Sequence, residues 1–237
     1  MVAASARALT ATNLAGFEGI EEPVMKYVVA QKQFSPDIFT NITDAGDGTM
    51  RMALRYDSEG WDGDRSRHDT SRQRAEVKGV GPHQQNGETF EYATTWRTSG
   101  NFHGTTRFCH VFQLKAVNGE DGPPLVTLSI LPGTNNCCVR YCSGGSHGFV
   151  TVRTFHWSPA IWENVRIRVK TSTSKEGEVL VSVNGDDFEG VSHVAIFRPE
   201  ATAYRPKWGL YRGITKNLPT GESYVEHRHP SAEKLQL

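Results

Sequence analysis

The chain has 237 residues, with 26 Lys plus Arg against 26 Asp plus Glu, so its formal net charge is zero. That balance argues against a nucleic-acid-binding coat, and no apolar run is long enough for a membrane span. With 37% hydrophobic and 10% aromatic residues and 23 glycines, the composition suits one sizeable globular domain over 1–237, rich in short strands and turns.

The opening Met1-Val2-Ala3-Ala4-Ser5-Ala6-Arg7 has neither a basic nor an apolar signal region, and about the first 15 residues read as a loose segment. Ser35-Pro36-Asp37 is a candidate start for a short helix. Asn41-Ile42-Thr43 is a glycosylation sequon. From Thr49 the pattern becomes alternation. Met50, Met52, Leu54 and Tyr56 share one face, and Arg51, Ala53 and Arg55 the other. Phe90, Tyr92, Thr94 and Trp96 alternate in the same way, as do Val165, Ile167 and Val169, and then Val179, Val181 and Val183 before an Asn184-Gly185 turn. Turn signals separate the runs and no βαβ rhythm is present. The expected class is all-β, a jelly-roll sandwich of two antiparallel sheets with a substrate cleft.

Three strands carry dense polar chemistry. In the first, Arg72, Arg74, Glu76 and Lys78 fall on one face, with Ala75 and Val77 toward the core. In the second, period two puts Phe108, His110, Phe112 and Leu114 on the core face and Cys109, Val111, Gln113 and Lys115 opposite. His110 therefore reads as a buried core histidine, and Gln113 and Lys115 as functional candidates. In the third, Trp208 and Leu210 point inward and Lys207, Gly209 and Tyr211 outward, with Gly209 a mark of the close approach of a ligand. The four cysteines, Cys109, Cys137, Cys138 and Cys142, have poor zinc spacing, and one bridge among the last three is compatible with an oxidising compartment.

Arg74-Ala75-Glu76-Val77-Lys78, Gln113-Leu114-Lys115 and Lys207-Trp208-Gly209-Leu210-Tyr211 resemble, in this order, the R-x-E-x-R, Q-I/V-H and K-A-G-x-Y strands of the family 7 alginate lyases, and the fuller strings SRQRAEVKG, HVFQLK and KWGLYRG resemble those of a second family. The whole sequence is more similar still to polysaccharide lyase family 20, the fungal glucuronan lyases. The resemblance implies an endo-acting β-elimination on an acidic polysaccharide, β-1,4-glucuronan, that leaves an unsaturated uronate end, with alginate as the alternative. It also implies a secreted, monomeric enzyme with no nucleic-acid or membrane partner. Where the alginate lyases carry the His that removes the C5 proton, this chain has Lys115. In β-1,4-glucuronan H5 and O4 lie on one side of the ring, so Tyr211 is expected to serve as both base and acid, its phenol pKa lowered by neighbouring cations, with His68 in reserve. Gln113 and Arg74 are expected to neutralise the uronate carboxylate. Arg72, Glu76, Lys78, Lys115, Lys207, Arg212 and Arg55 are the substrate-binding candidates, with Arg51 on the same face and Trp61, His103 and Tyr204 flanking the groove. Catalysis needs no cofactor. A structural calcium, with Glu18, Asp44 and Asp47 as oxygen ligands, is the one ion the likeness suggests.

Two other classes compete. A sandwich-fold glucanase needs paired carboxylates on a strand, whereas Glu59 and Asp62 lie in a Gly-rich turn. A non-catalytic binding module would keep the cationic groove without needing Tyr211 beside Gln113.

Overall fold

The computed structural model describes residues 41–57, 60–63, 70–79, 83–118, 122–142, 148–216 and 218–236, together with the backbone of four short N-terminal strands. Those four are β1 (Arg7–Ala8), β2 (Phe17–Glu21), β3 (Lys26–Val28) and β4 (Gln33–Ser35). They are followed by β5 (Ile42–Gly46), β6 (Thr49–Tyr56), β7 (Gly60–Asp62), β8 (Arg72–Gly79), β9 (Thr89–Thr98), β10 (Cys109–Ala116) and β11 (Val126–Ile130). The remainder are β12 (Asn136–Tyr141), β13 (Val150–His156), β14 (Glu163–Lys170), β15 (Gly177–Val183), β16 (Glu189–Val194), β17 (Tyr204–Gly213) and β18 (Gly221–Leu235). The described residues contain no helix. Ser35 ends a strand, and the rest of the expected helix start at Pro36 lies outside the described residues.

The strands form two antiparallel sheets, as the alternation predicts. One runs β16-β15-β14-β9-β18-β6-β7-β3-β4, with β5 on β6 and β1 on β5; the other runs β13-β12-β11-β10-β17-β8-β2. Period two then decides what is buried. Met52, Leu54, Phe90, Tyr92, Trp96, Val165, Ile167 and Val169 face inward from the larger sheet, and Ala75, Val77, Leu114, Leu128, Trp208 and Leu210 from the smaller. Tyr92 meets Phe112 across the interface at 5.7 Å between ring centroids, and Phe112 meets Trp208 at 5.9 Å. At about 25 cal/mol per Å² of apolar surface, this interface is the main stabilising term. Asn184 and Gly185 both take positive φ (53° and 86°), and Asp186 N–H donates to the Val183 carbonyl at 3.1 Å, the turn expected from Asn-Gly.

The alternation breaks in β10. Against β11, His110 pairs with Ser129 and Phe112 with Leu128, so Val111 is an extra residue on β10. Against β17, His110 pairs with Tyr211 and Phe112 with Trp208, so there the extra residue is on β17. The bulge turns Val111 and Phe112, adjacent in sequence, both into the core, where each is at most 1% exposed. Cys109 is likewise core, and His110 shares the outer face with Gln113 and Lys115. The expected assignment of Phe112, Leu114, Gln113 and Lys115 holds. That of Phe108, Cys109, His110 and Val111 is reversed, because simple alternation does not allow for the inserted residue.

Candidate functional site

The outer face of the seven-stranded sheet carries a cleft of about 1070 Å³. Four neighbouring strands build it in register. Arg72 and Arg74 come from β8, Lys207 and Tyr211 from β17, His110, Gln113 and Lys115 from β10, and Thr127 and Ser129 from β11; Arg140 of β12 closes one side. Phe108, Arg107 and Phe149 also line it. The described lining holds six cations (Arg72, Arg74, Arg107, Lys115, Arg140 and Lys207) and no carboxylate.

Tyr211 is set among cations and rings. Its phenol oxygen accepts a hydrogen bond from Arg72 Nη1 at 2.8 Å. The Arg74 guanidinium lies 3.9 Å from the ring centroid, a cation–π contact, and Phe108 packs edge-on at 4.8 Å. Only 7% of Tyr211 is exposed. Gln113 Nε2 donates to Glu76 Oε1 at 2.5 Å, and Glu76 Oε2 is 3.5 Å from Arg74 Nη1. Glu76 is fully buried and does not line the cleft. It supports Gln113 and Arg74 from below, where a substrate-binding role was expected. Lys78 is half-buried, in register with Lys207, and outside the described cleft lining. Lys115 Nζ donates to the Gly122 carbonyl.

His110 stacks on Phe108 at 5.1 Å and lies 6.2 Å from Tyr211, centroid to centroid. Its Nδ1 is 2.8 Å from Ser129 Oγ. Burial, with the Arg140 and Arg74 guanidiniums nearby, holds its imidazole down at about 3. Alternation alone conceals His110, and Arg140 was also missed: a single cation on a strand of mixed pattern carries no signal that picks it out.

Gly209 is buried and does not line the cleft, and its close approach is to the neighbouring strand and not to a ligand. A Cβ there would sit 2.2 Å from the Ala75 carbonyl oxygen on β8, and φ is +148°.

Other expectations are corrected. Arg212 lies on the core face, fully buried, with Nε donating to Gln73 Oε1 at 2.9 Å, because period two puts it opposite Tyr211. Burial brings its guanidinium down to about 10. Arg55 and Arg51 lie on β6 in the other sheet, facing away from the core, and Arg51 pairs with Glu226. Trp61 belongs to that sheet too and donates to the Thr70 carbonyl. Tyr204 is fully buried in the core and His103 does not line the cleft. All four cysteines are free and buried, so no bridge forms; burial pushes the Cys109 thiol up to about 12. Asn41 is buried and donates to Asp62 and to the Ala53 carbonyl, so the folded sequon is closed to a glycan. Asp44 closes the β5–β6 turn by accepting from Gly46 N–H, with Asp47 beside it, and no group of three or more His, Cys, Asp or Glu is gathered to hold a metal among the described residues. His68 and the Glu18 side chain lie outside the described residues.

No family model matches the sequence, and no curated protein sequence does. Solved structures do. The endo-β-1,4-glucuronan lyase of the fungus Trichoderma reesei matches at 18% identity over 92% of this chain and 91% of that one, with a TM-score of 0.67. The family 7 alginate lyase A1-II′, in complex with a product, matches at 16% identity over 90% and 96%, with a TM-score of 0.60. A GH131 β-glucanase catalytic domain from Podospora anserina matches at 12% identity over 97% and 90%, with a TM-score of 0.54. The chain therefore has the jelly-roll sandwich fold shared by glucuronan lyases and family 7 alginate lyases.

Proposed function

We propose that this protein is a polysaccharide lyase that cleaves β-1,4-linked polyglucuronate by β-elimination within the chain. The observation that carries the reading is the cleft itself: six cations and no carboxylate among its described lining residues, arranged around the Tyr211 phenol. A hydrolase of this fold needs two carboxylates astride the bond, and an anionic polymer needs the cations.

The chemistry follows from the groups present. The C5–H of a uronate is a weak acid until its carboxylate is neutralised, and Arg74, Lys207 and Gln113 supply donors where that charge grows. One amide proton of Gln113 is held by Glu76, which aims the amide and leaves its second N–H for the uronate. With Tyr211 as the phenolate, its oxygen takes the C5 proton; C4=C5 forms as the C4–O4 bond breaks, and the phenol so formed gives that proton to O4, which lies on the same side of the ring, restoring the phenolate. Arg72, already bonded to that oxygen, stabilises the phenolate before the first step and after the second, while the charge that develops between them falls on the uronate carboxylate facing Arg74, Lys207 and Gln113. His68 remains the alternative base in this reading, and secretion of the enzyme goes with a polymeric substrate outside the cell.

The test is an ultraviolet elimination assay on glucuronan and on mannuronate-rich alginate, with wild type and Tyr211→Phe. Absorbance of the unsaturated uronate on glucuronan, lost in the variant, is the expected result. A signal on alginate alone would move the substrate and keep the reaction. No signal on any uronan would overturn the lyase reading.

A further inference from the structure

The hydrogen-bond directions around His110 favour one tautomer. Ser129 Oγ lies 2.8 Å from His110 Nδ1 and donates its own proton to Thr127 Oγ1 at 3.1 Å. A hydroxyl has one proton. With that proton committed to Thr127, the bond to His110 requires the hydrogen on Nδ1, with Ser129 accepting. Nε2 is then the lone-pair nitrogen. Stacking on Phe108 holds the ring plane, and His110 is part of the cleft wall beside Tyr211 and Arg140.

We infer that His110 is a specificity-determining residue whose Nε2 accepts a hydrogen bond from a hydroxyl of the sugar bound against Tyr211. The inference rests on the polysaccharide reading and deepens it. The cleft is otherwise lined largely by donors: four arginines and two lysines can bind carboxylates and hydroxyl oxygens but cannot accept a hydroxyl proton. His110 adds a ring-nitrogen acceptor beside Tyr211 to the few amide and hydroxyl oxygens of the lining. Burial and the nearby guanidiniums hold the ring neutral, its pKa brought down to about 3, so it makes a poor proton carrier but remains an acceptor throughout the neutral range. A site that hydrogen-bonds a substrate hydroxyl discriminates strongly against an analogue in which that hydroxyl is blocked.

The test uses Tyr211→Phe protein, which is expected to bind with turnover slowed about 10²- to 10⁴-fold, labelled with nitrogen-15 and titrated with a short oligoglucuronate; His110→Phe identifies the resonances. In the free protein Nδ1 should be protonated and Nε2 bare between about pH 5 and pH 8, and saturation with the oligomer should shift Nε2 in the direction of an accepted hydrogen bond. In the otherwise wild-type enzyme, His110→Phe should raise KM about tenfold, leave the pH profile of kcat in place, and relax discrimination between free and O-acetylated polymer. Ser129→Ala, a milder change, should allow both tautomers and give an intermediate KM. A bare Nδ1, or an Nε2 signal unmoved while the oligomer binds, would overturn the assignment and leave the lyase reading intact. An oligomer that binds neither protein would overturn the uronate reading and, with it, the partner named here for His110.

Discussion

Arg72 reaches from β8 to donate to the phenol oxygen of Tyr211 at 2.8 Å, and the next cation on the same face, Arg74, covers the ring of that tyrosine at 3.9 Å. One phenol is thus held at both its oxygen and its π-face by two guanidiniums two residues apart. Removing the oxygen with Tyr211→Phe should lower kcat by about 10²- to 10⁴-fold, the usual worth of a positioned proton-transfer group. Arg72→Lys keeps a charge but loses the planar fork, and should cost less. Initial rates on glucuronan decide the matter, and a Tyr211→Phe enzyme of near-normal rate would remove Tyr211 from the chemistry.

Glu76 is fully buried between Gln113 and Arg74. Glu76→Gln removes the negative charge beside Arg74 while keeping an oxygen and the size. It should destabilise the fold by about 1–3 kcal/mol and lower kcat/KM by loosening Gln113. Urea unfolding measures the first effect and progress curves the second. A variant as stable and active as wild type would mean the carboxylate supports neither neighbour.

Gly209→Ala places a methyl 2.2 Å from the Ala75 carbonyl oxygen at a φ of +148°. Both terms act against it, so a loss of about 3 kcal/mol or more is expected. A thermal midpoint unchanged from wild type would show that β8 and β17 can move apart at no cost.

His110 and His227 are both buried, and burial brings each imidazole from 6.5 down to about 3. Between those values the unfolded chain binds a proton at each histidine that the folded chain does not. Stability therefore falls as pH drops below about 6.5, by roughly 1.4 kcal/mol per pH unit for each group, until pH nears 3. Urea midpoints measured from neutral pH down to about pH 5 should show this slope, and His227→Gln should reduce it by one proton's worth. An unchanged slope in that variant would mean that His227 is not kept neutral by the fold.

Much of this was legible in the sequence because one face of each sheet is buried, and burial enforces period two. Trp208 and Leu210 against Lys207 and Tyr211, and Ala75 and Val77 against Arg72 and Arg74, could be sorted by counting. Counting failed where the backbone departs from the ladder: the bulge at Val111 put His110 on the cleft face. It also could not tell which sheet a charged residue joins, so Arg55 and Arg51, well placed by alternation, face away from the core on the wrong layer. Glu76 was placed on the right face, but its burial comes from the depth of the sheet and the packing of Gln113 and Arg74 above it. That is long-range information no local pattern carries.

The bulge at Val111 has a consequence for how the chain finds its pairing. A regular strand can slide by two residues against its neighbour and still present the same face to the core. Here β10 has one residue too many for β11 and one too few for β17, so no such slide satisfies both neighbours at once. Tyr211, Gln113 and Lys207 therefore come together in a single alignment, and the irregularity acts as a pin that protects the cleft from mispaired, core-competent alternatives.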